Sequence, residues 1–354
     1  MVHTKTTPPT FICGSNAFTD FAQLLNENFD SYLKILIVDV NTHRYCLPVL
    51  KQNIKGLAKA PIIKLPATEY AKSMESVSVI INKLIKLKAA KKTVIINLGG
   101  GVITDLGGFC ASIYQRGIPC IQVPTSLVAM TDAAIGGKTG INFGQLKNYI
   151  GTFTHANATI IYPDFLKTLP PQQYLSGMAE VFKHGLIGDK KIYNQLLSTS
   201  WLQPISNQLL LQSIAVKQKI VHADFYEKNK RKLLNAGHTV GHAIESYSHT
   251  TGKPLLHGYC IAIGLIVECY IGHVLGLLSL KHLVEITHCI HQNFSFDPFT
   301  VKEVNQIIAL MYFDKKNNNH QVNFSLVEKP GKAAVDCYAS ADVIKAGFMF
   351  FNAS

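Results

Sequence analysis

The stretch T-V-I-I-N-L-G-G-G-V-I-T-D-L-G-G-F, residues 93–109, decides the fold of the first half of the chain. Residues 94–98 are a short apolar run rich in β-branched side chains, and three glycines and then a segment of helical character follow directly. This order predicts a strand, a tight turn and a helix. Glycines let a ligand approach the backbone closely, and the N-terminus of a helix favours an anion. The turn is therefore predicted to bind a phosphate.

The three glycines alone leave two interpretations open. Gly99, Gly100 and Gly101 do not form the spaced G-x-G-x-x-G fingerprint, and a glycine cluster after a strand is often only a turn. Asp105 favours a ligand site, because a carboxylate at this position can meet the ribose or nicotinamide groups of a dinucleotide. The alternative is that Asp105 is a first-turn residue stabilised by the helix dipole.

Strand-like and helix-like segments alternate on both sides of this stretch. Strands are predicted at residues 10–13, 32–40, 61–65 and 120–123, and helices at residues 18–29, 43–52 and 70–88. The alternation predicts a Rossmann-like α/β fold, with a parallel sheet covered by helices on both faces. Ligands of such sheets bind beyond the carboxyl ends of the strands, where Asp39, Gly99 and Thr125-Ser126 all fall.

Beyond Leu169 the alternation ends and segments of helical period take over. Helices are predicted at residues 174–186, 201–224, 239–248, 260–277 and 279–293. We therefore predict an α/β domain over residues 1–168 and a mostly α-helical domain over residues 169–354. The active site is expected in the cleft between them.

Composition limits the class of partner. A chain of 354 residues with 47% apolar content can bury a sizeable core. The excess of 34 Lys and Arg over 22 Asp and Glu favours an anionic partner. The basic clusters at residues 88–92 and 228–232 are too short for a nucleic-acid-binding arm, so a charged metabolite is the predicted partner.

Cysteine usage and hydropathy indicate the compartment. The eight cysteines lack C-x-x-C spacing, and Cys110, Cys120, Cys260 and Cys269 lie in apolar surroundings, as small buried thiols do in a reducing compartment. The N-terminus lacks an apolar signal core, and a glutamate and a histidine interrupt the most hydrophobic run, residues 258–280. These features predict a cytoplasmic protein that is not bound to a membrane.

Candidate metal ligands concentrate in the second half of the chain. Helical spacing places Glu180 and Lys183 on one helix face and His238 and His242 on another, and His257 follows further along. Two histidines and a carboxylate are a common ligand set for a catalytic divalent metal. A histidine pair in a chain with 14 histidines is often accidental, but the glycines beside this pair suggest close approach of another group.

Several basic side chains allow either a surface role or a functional one. Each of Lys138, Lys147, Lys183, Lys217 and Arg231 is by default a solvated charge. Lys138 differs because the glycine-rich residues 136–140 would make a poor solvent-facing helix. This stretch is predicted to form an anion-binding loop.

A series of ordered motifs carries a resemblance to a known family. The motifs are G-G-G-V-I-T-D (99–105), P-T-S-L (124–127), D-A-A-I-G-G-K-T-G-I-N (132–142), L-K-N-Y-I-G (146–151), L-K-T-L-P (166–170), A-E-V-F-K-H-G (179–185), R-K-L-L-N-A-G-H-T-V-G-H-A-I-E (231–245) and H-G (257–258). Together they resemble the 3-dehydroquinate synthases, of the sugar phosphate cyclase group. The match extends over nearly the whole chain and is more specific than any single glycine loop.

The resemblance implies a lyase that depends on NAD and on a divalent metal, zinc or cobalt. Members of the family convert 3-deoxy-D-arabino-heptulosonate 7-phosphate to 3-dehydroquinate and phosphate in the shikimate pathway. NAD oxidises a ring hydroxyl, phosphate is eliminated, the ketone is reduced again, and the ring opens and closes as a carbocycle by aldol addition. The transient ketone acidifies the neighbouring C–H, which is why an oxidation precedes the elimination.

The resemblance also assigns roles to individual residues. The metal ligands would be Glu180, His238 and His257. The catalytic set would be Lys138, His242, Lys183, Asp132 and Asn235. His242 would lie in the substrate shell and donate to the phosphate or relay a proton, although its spacing alone also allows it to be a metal ligand.

Substrate and cofactor contacts are implied in the same way. Lys217 and Arg231 would bind the substrate carboxylate, a role suited to a planar guanidinium beside a point charge. Phosphate contacts would be Lys138, Asn148, Asn235 and one of Lys315 and Lys316, with Arg116 reaching in from the other subunit of a homodimer. The NAD contacts would be Asp39, Asn41, Glu69, Lys72, Gly100, Gly101, Val102, Asp105, Thr125, Ser126, Lys138, Lys147, Phe165, Leu166, Lys167 and Thr168.

Two positions depart from the family pattern. Tyr259 follows His257-Gly258 where members usually have glutamate, and Phe225 follows Asp224 where they also usually have glutamate. The first departure removes a possible carboxylate beside the metal. Either the Tyr259 hydroxyl or another acid is expected to take its place.

Three alternatives remain. Other sugar phosphate cyclases, which make valiolone-type or deoxy-inosose rings, act on substrates without a carboxylate and do not need Lys217 with Arg231. Metal-dependent alcohol dehydrogenases related to glycerol dehydrogenase release NADH and act on simpler substrates. A non-catalytic NAD-binding protein would have no reason to keep the complete ligand set. The cationic pair and the ligand set therefore favour dehydroquinate synthase.

Overall fold

The chain, represented here by a computed structural model, forms two compact units. The structure describes residues 9–144, 146–312 and 321–354, so the predicted phosphate contacts Lys315 and Lys316 lie outside the described residues. Unit 1 comprises Met1–Pro170 and unit 2 comprises Pro171–Ser354. The sequence-based boundary was placed after residue 168.

Unit 1 alternates strands and helices. Its strands are β1 (Thr10–Cys13), β2 (Leu33–Asp39), β3 (Ile62–Leu65), β4 (Thr93–Gly99), β5 (Cys120–Pro124), β6 (Lys138–Phe143), β7 (Leu146–Phe153) and β8 (Ala158–Ile161). Its α-helices are α1 (Ala17–Phe29), α2 (Val40–Tyr45), α3 (Leu47–Asn53), α4 (Met74–Lys86) and α5 (Gly101–Ile113). Shorter elements are 3-10 segments at Lys55–Leu57, Glu69–Ala71, Tyr114–Arg116 and Pro163–Thr168, and a π-helical turn at Ala129–Ala133.

A parallel sheet forms the centre of unit 1. Among the described residues, six strands follow the order β1-β8-β5-β4-β2-β3, and each neighbouring pair is parallel. Every residue of β4 is buried. A strand inside a parallel sheet is covered on both faces, which accounts for the mostly apolar sequence of β4. The predicted parallel α/β fold is therefore confirmed.

Two local predictions in unit 1 were wrong. The helix predicted at residues 43–52 is divided into α2 and α3, because Pro48 stands in the first turn of a new helix, where its missing N–H is tolerated. The predicted anion-binding loop at residues 136–140 is largely strand β6, paired antiparallel with β7. Its glycines allow the two strands of the hairpin to pack closely, since a Cβ on Gly140 would lie 2.8 Å from the Ile150 carbonyl oxygen.

Close packing of α5 on β4 depends on Gly107. A Cβ at Gly107 would lie 1.9 Å from Oδ1 of Asn97, a fully buried residue of β4. Asn97 cannot move freely, because its Nδ2 contacts Gln122 Oε1 and Cys120 Sγ, each at 3.2 Å.

We expect Gly107→Ala to lower the free energy of unfolding by about 1–3 kcal/mol, because overpacking outweighs the higher helix propensity of alanine. Gly56→Ala is the matched control, since a Cβ at Gly56 meets no atom within 4 Å. Urea unfolding of both variants measures the difference. Equal stability of the two variants would contradict this account of the α5–β4 contact.

Unit 2 is mostly helical. Its helices are α6 (Pro171–Ile187), α7 (Lys190–Leu197), α8 (Asn207–Ala223), α9 (His238–Thr250), α10 (His257–Val274), α11 (Leu280–Asn293), α12 (Val301–Tyr312) and α13 (Ala341–Ala353). A 3-10 segment spans Lys230–Asn235, and an antiparallel hairpin pairs β9 (Val322–Lys329) with β10 (Lys332–Ala339). The helical character was predicted, whereas the hairpin, α7, α12 and α13 were not.

Helix α10 lies at the centre of unit 2. It packs against α6, α9, α11 and α13 and against β9. Among the described residues it is the one helix long and apolar enough to cross a membrane, and 72% of its apolar window is buried inside the fold. Its hydrophobicity is explained by its position in the core.

The cysteines behave as predicted. All eight lie within the described residues and none forms a disulfide, and Cys110, Cys120, Cys260 and Cys269 are buried. Burial raises the pKa of the Cys110 thiol to about 12. A thiol with so high a pKa is uncharged at neutral pH and is a poor nucleophile or metal ligand.

Candidate functional site

Three helices of unit 2 bring Glu180, His238 and His257 together. Glu180 lies in α6 and is fully buried, His238 is the first residue of α9, and His257 is the first residue of α10. Glu180 Oε1 is 3.4 Å from His238 Nε2 and 3.2 Å from His257 Nε2. The three predicted metal ligands thus converge on one point.

These distances fit a shared divalent ion. Two ligand atoms about 2.0–2.1 Å from a tetrahedral zinc lie about 3.3 Å from each other. The two separations at Glu180 match this value. A carboxylate oxygen and two imidazole nitrogens are also the donor types that zinc and cobalt accept.

The orientation of each imidazole also suits a metal ligand. His238 Nδ1 lies 3.1 Å from the Ala236 carbonyl oxygen, which accepts its proton and leaves the Nε2 lone pair directed at Glu180. Burial and the Lys183 ammonium lower the pKa of His238 well below its ordinary value. His238 is therefore neutral, as a ligand must be.

His257 is held between two carboxylates. Its Nε2 faces Glu180, and its Nδ1 lies 3.4 Å from Glu245 Oε2. Burial lowers the pKa of His257, but hydrogen bonds to Glu180 and Glu245 outweigh burial and raise it to about 10. Binding of a divalent ion at this point would release the proton. Glu245 was not among the predicted site residues, although it lies on the same face of α9 as His238, seven residues away.

His242 adds a third imidazole. Its ring centroid lies 5.0 Å from that of His238 and 5.8 Å from that of His257, and the three histidines each offer a nitrogen within 4.8 Å of the others. His242 is exposed, whereas His238 is buried. Its exposure suits the predicted substrate contact better than a buried ligand position.

Lys183 forms an ion pair with Glu180 in the interior of unit 2. Its Nζ lies 2.5 Å from Glu180 Oε2, and both side chains are buried. Burial alone would raise the pKa of Glu180, but Lys183 and the two histidines lower it well below its ordinary value. Glu180 is therefore ionised and uses one oxygen for Lys183 and the other for the histidines.

The glycines beside His238 and His242 accommodate α10. A Cβ on Gly241 would lie 3.0 Å from the Cys260 carbonyl oxygen, and a Cβ on Gly237 would lie 2.8 Å from Leu265. The close approach suggested by these glycines is therefore that of a neighbouring helix. This contact fixes the start of α9 relative to α10, and thus His238 relative to His257.

Glu268 anchors the N-terminus of α9 from α10. Its carboxylate accepts hydrogen bonds from the backbone N–H groups of Gly237 at 2.6 Å and Val240 at 3.0 Å. An acceptor oxygen is favourable at this position, because the first N–H groups of a helix have no partner within the helix. The sequence showed Glu268 only as an interruption of an apolar run.

Glu268 should make stability depend on pH. Burial raises the pKa of its carboxyl to about 8, against the lowering effect of the backbone N–H groups. An unfolded glutamate has a pKa of about 4.3. The folded chain therefore retains a proton that the unfolded chain has lost, and the stability from this group is full below about pH 4.3 and is lost as the pH rises through about 8.

We expect the free energy of unfolding of the wild type to fall relative to that of Glu268→Gln as the pH rises from 5 to 8. The slope of the difference is up to about 1.4 kcal/mol per pH unit. Urea unfolding of both proteins, each freed of metal by a chelator, measures it. Parallel stability curves across this range would show that Glu268 is ionised throughout.

The predicted carboxylate-binding pair lies on neighbouring elements of unit 2. Helix α8, which carries Lys217, packs against the 3-10 segment that carries Arg231 and Asn235. Lys217 is 5% exposed and Arg231 is 2% exposed. Two buried cationic side chains on adjacent elements favour an anionic group beside them.

The loop before Arg231 is held by Asp224. The Asp224 carboxylate accepts hydrogen bonds from the backbone N–H groups of Lys228, Asn229 and Arg231 at 3.1, 2.7 and 3.0 Å. The Phe225 carbonyl oxygen accepts a hydrogen bond from Arg231 Nη1 at 2.5 Å. Phe225 thus contacts Arg231 through its backbone carbonyl group. Any residue at this position could make the same contact.

In unit 1, the ends of three neighbouring strands gather predicted cofactor contacts. Asp39 ends β2, Gly100 follows β4 and Thr125 follows β5, and these strands are adjacent in the sheet. Thr125 N donates to the Gly99 carbonyl oxygen at 3.0 Å. A Cβ on Gly100 would lie 3.3 Å from the Ser126 hydroxyl oxygen, so a side chain just before α5 would crowd Ser126. This arrangement suits a phosphate-binding turn.

Asp39 also begins α2. Its Oδ1 accepts hydrogen bonds from the backbone N–H groups of Asn41 and Thr42, each at 2.8 Å, and the Thr42 hydroxyl accepts from Asp39 N at 3.0 Å. This capping box holds the Asp39 carboxylate in a fixed position at the strand end. The predicted contact Asn41 lies next to it.

Lys72 connects several predicted cofactor contacts. Its Nζ lies 2.8 Å from Asp105 Oδ2 and 4.0 Å from Glu69 Oε1, and it also donates to Asn148 Oδ1. Asp105 is thus an ion-pair partner, and its interpretation as a first-turn residue is wrong because no acidic residue lies in the first turn of α5. Burial raises the pKa of Asp105, and Lys72 opposes this effect. Asn148, predicted to contact phosphate, lies beside the predicted cofactor contact Lys72.

The remaining predicted residues of unit 1 lie on separate elements. Lys138 in β6 and Arg116 after α5 are exposed, Lys147 in β7 is half-buried, and Asp132 lies in the π-helical turn. Gly101 and Val102 begin α5, whereas Phe165, Leu166, Lys167 and Thr168 form a 3-10 segment. Phe165 is buried and packs its ring edge-on against Phe18 and Tyr162, so its side chain belongs to the core.

Comparison with known sequences identifies a similar family. Residues 62–176 match the 3-dehydroquinate synthase N-terminal family, and residues 177–317 match the 3-dehydroquinate synthase C-terminal family. A 3-dehydroquinate synthase of Parabacteroides distasonis is 37% identical over 339 residues, which cover 93% of this chain and 95% of that protein.

Comparison with solved structures identifies the fold. A 2-deoxy-scyllo-inosose synthase complexed with carbaglucose-6-phosphate, NAD+ and Co2+ has a TM-score of 0.83 and 23% identity, covering 96% of this chain and 95% of that one. The 2-epi-5-epi-valiolone synthase of Streptomyces hygroscopicus subsp. jinggangensis 5008, with NAD+ and Zn2+ bound, has a TM-score of 0.81 and 22% identity, covering 98% and 97%. At these identities the similarity establishes the fold alone.

Proposed function

Since the chain belongs to the 3-dehydroquinate synthase family, we propose that it converts 3-deoxy-D-arabino-heptulosonate 7-phosphate to 3-dehydroquinate and phosphate. The protein is a carbon–oxygen lyase. The observation that carries the proposal is the convergence of Glu180 Oε1 with His238 Nε2 and His257 Nε2, at 3.4 and 3.2 Å. This cluster is a site at which the metal required by the proposed reaction could bind.

Two groups supply what side chains cannot. NAD, when bound, accepts and returns a hydride, and a divalent metal, zinc or cobalt, acts as a Lewis acid toward the hydroxyl that is oxidised. Similar folds with bound NAD and Co2+ or Zn2+ support both assignments. In this chain Glu180, His238 and His257 would hold the metal.

The residues of unit 1 are proposed to hold NAD. Gly100 and Gly101 present the start of α5 to the diphosphate, where N–H groups and the helix dipole favour an anion. Asp39 is fixed at the end of β2 by its capping box and is placed to accept from ribose hydroxyls. Lys72 and Asp105 orient each other at 2.8 Å.

The residues of unit 2 are proposed to bind and orient the substrate. Arg231 and Lys217 would bind the carboxylate, with the guanidinium forming paired hydrogen bonds. Asn235, held by Glu227 at 3.0 Å, would donate to the phosphate. His242, which is exposed beside the metal ligands, would donate to the phosphate or relay a proton. Lys138, which is exposed in β6 of unit 1, is proposed to contact NAD.

Release of phosphate with catalytic NAD tests this function. We expect phosphate release from the heptulosonate phosphate that stops when a chelator is added, with no net rise in NADH absorbance. Net NADH would instead indicate a dehydrogenase. Inactivity on this substrate, with turnover of a heptulose phosphate that lacks a carboxylate, would indicate another sugar phosphate cyclase.

We also propose a homodimer in the cytoplasm. Eight cysteines that form no disulfide among the described residues suit a reducing compartment, and Arg116 is exposed, as a residue that reaches toward a second subunit must be. Light scattering on the purified protein measures the assembly state. If an Arg116→Ala and a Lys217→Ala variant, each inactive alone, recovered activity on mixing, Arg116 would act on the neighbouring subunit's substrate; no recovery would contradict this.

A further inference from the structure

Tyr259 stands where the family usually has a glutamate, and its ring makes aromatic contacts. The Tyr259 ring packs edge-on against Phe294 with centroids 4.8 Å apart, and against Phe296 at 6.4 Å. Phe294 in turn stacks on Phe296 at 5.6 Å. Tyr259 is therefore part of an aromatic cluster, in which its ring has a packing role.

Glu245 provides a carboxylate at the metal ligands from a different helix. It is 6% exposed, and its Oε2 lies 3.4 Å from His257 Nδ1. The opposite nitrogen of the same ring, Nε2, lies 3.2 Å from Glu180 Oε1. The three groups thus form a line, with one ring nitrogen for each carboxylate.

The backbone around Glu245 is fixed relative to His257. The Glu245 carbonyl oxygen accepts a hydrogen bond from the Ser248 hydroxyl at 2.7 Å, and the same hydroxyl oxygen accepts one from Leu255 N at 3.1 Å. Leu255 lies just before α10, which His257 begins. The last turns of α9 therefore hold the chain that leads into His257.

We propose that Glu245 is the positioning residue for the metal ligand His257. It accepts the Nδ1 proton, fixes the ring so that Nε2 faces Glu180, and increases the basicity of Nε2. A carboxylate beside the metal ligands is thereby supplied from α9. A ligand histidine in a metal site commonly donates its other N–H to such a partner, and loss of the partner costs about 10–100-fold in metal affinity.

The proposal rests on the proposed metal-dependent function, but its test does not use turnover. The Co2+ dissociation constant is measured by competition with a metal-binding dye, without substrate or NAD, for the wild type, Glu245→Ala, Glu245→Gln and Tyr259→Phe. We expect about 10–100-fold weaker binding for Glu245→Ala, a smaller loss for Glu245→Gln, which keeps an acceptor oxygen, and no change for Tyr259→Phe. The visible spectrum of bound Co2+ should shift in Glu245→Ala alone.

Thermal unfolding of the metal-free variants controls for folding. If Glu245→Ala unfolds at a lower temperature than the wild type, the Co2+ dissociation constants of Glu245→Gln and the wild type are compared instead. Unchanged affinity and spectrum in Glu245→Ala, or a loss of Co2+ affinity in Tyr259→Phe, would overturn the proposal.

A wild type that binds Co2+ but releases no phosphate would overturn the proposed function and leave the role of Glu245 intact. A wild type that does not bind Co2+ would overturn both.

Discussion

Replacing Glu180 with alanine is expected to abolish metal binding and phosphate release and to lower the free energy of unfolding by about 3–5 kcal/mol. Glu180 contributes to two interactions at once. Oε1 faces the imidazoles of His238 and His257, while Oε2 lies 2.5 Å from Lys183 Nζ. Loss of the carboxylate therefore removes a ligand and also leaves the Lys183 ammonium buried without its anion.

The loss of stability follows from burial. Both side chains of the Glu180–Lys183 pair are at most 1% exposed, so water cannot solvate the ammonium after the carboxylate is removed. A buried ion pair contributes little net stability compared with apolar residues, but removal of one partner is costly. The double variant Glu180→Ala/Lys183→Met should therefore recover much of the stability lost in Glu180→Ala and still fail to bind metal.

An exposed pair of the same length provides the control. Lys332 Nζ lies 2.5 Å from Glu328 Oε2, but these side chains are 60% and 26% exposed. Glu328→Ala should cost less than about 1 kcal/mol. Urea unfolding of the metal-free proteins and dye competition for Co2+ measure the two effects separately. If Glu180→Ala were no less stable than Glu328→Ala, the Glu180–Lys183 pair would not be the buried interaction described here.

The sequence was sufficient for the fold class because burial leaves a strong pattern. Strand β4 is buried throughout and consists mostly of apolar residues, as do its neighbours β2 and β5. The hairpin β6–β7 left no such pattern. Its residues are largely exposed or half-buried. Its glycines are explained by close contacts between the backbones of β6 and β7, which can be recognised only once the pairing of the two strands is known.

For the candidate site, the sequence indicated the three metal ligands but not the residues that hold them in place. Glu180, His238 and His257 were predicted as ligands because ordered motifs carry them, and the structure places Nε2 of each histidine within 3.4 Å of Glu180 Oε1. Glu245 and Glu268 were missed as contributors because each acts across a contact between α9 and α10. Helical spacing gives the face of a residue but not the helix packed against it.

We expect Arg231→Lys to lower kcat/KM for the heptulosonate phosphate by about 10–10²-fold, since the loss of a hydrogen bond to a charged group costs about 1.5–3 kcal/mol. Lysine keeps the charge, but it cannot form the paired hydrogen bonds of a planar guanidinium. Arg231 is 2% exposed, and its guanidinium lies 6.0 Å from the Phe225 ring. A flexible ammonium lacks the planar shape that fits this position.

The decisive comparison is between substrates with and without a carboxylate. If Arg231 binds the substrate carboxylate, Arg231→Lys should leave the affinity for Co2+ unchanged and should have little effect on any residual turnover of a heptulose phosphate that lacks this group. Arg44→Lys, at an exposed arginine of unit 1, is the control for the substitution itself. An equal loss on both substrates would mean that Arg231 supports the fold of its loop through Asp224 and Phe225, and the carboxylate would then have to bind elsewhere.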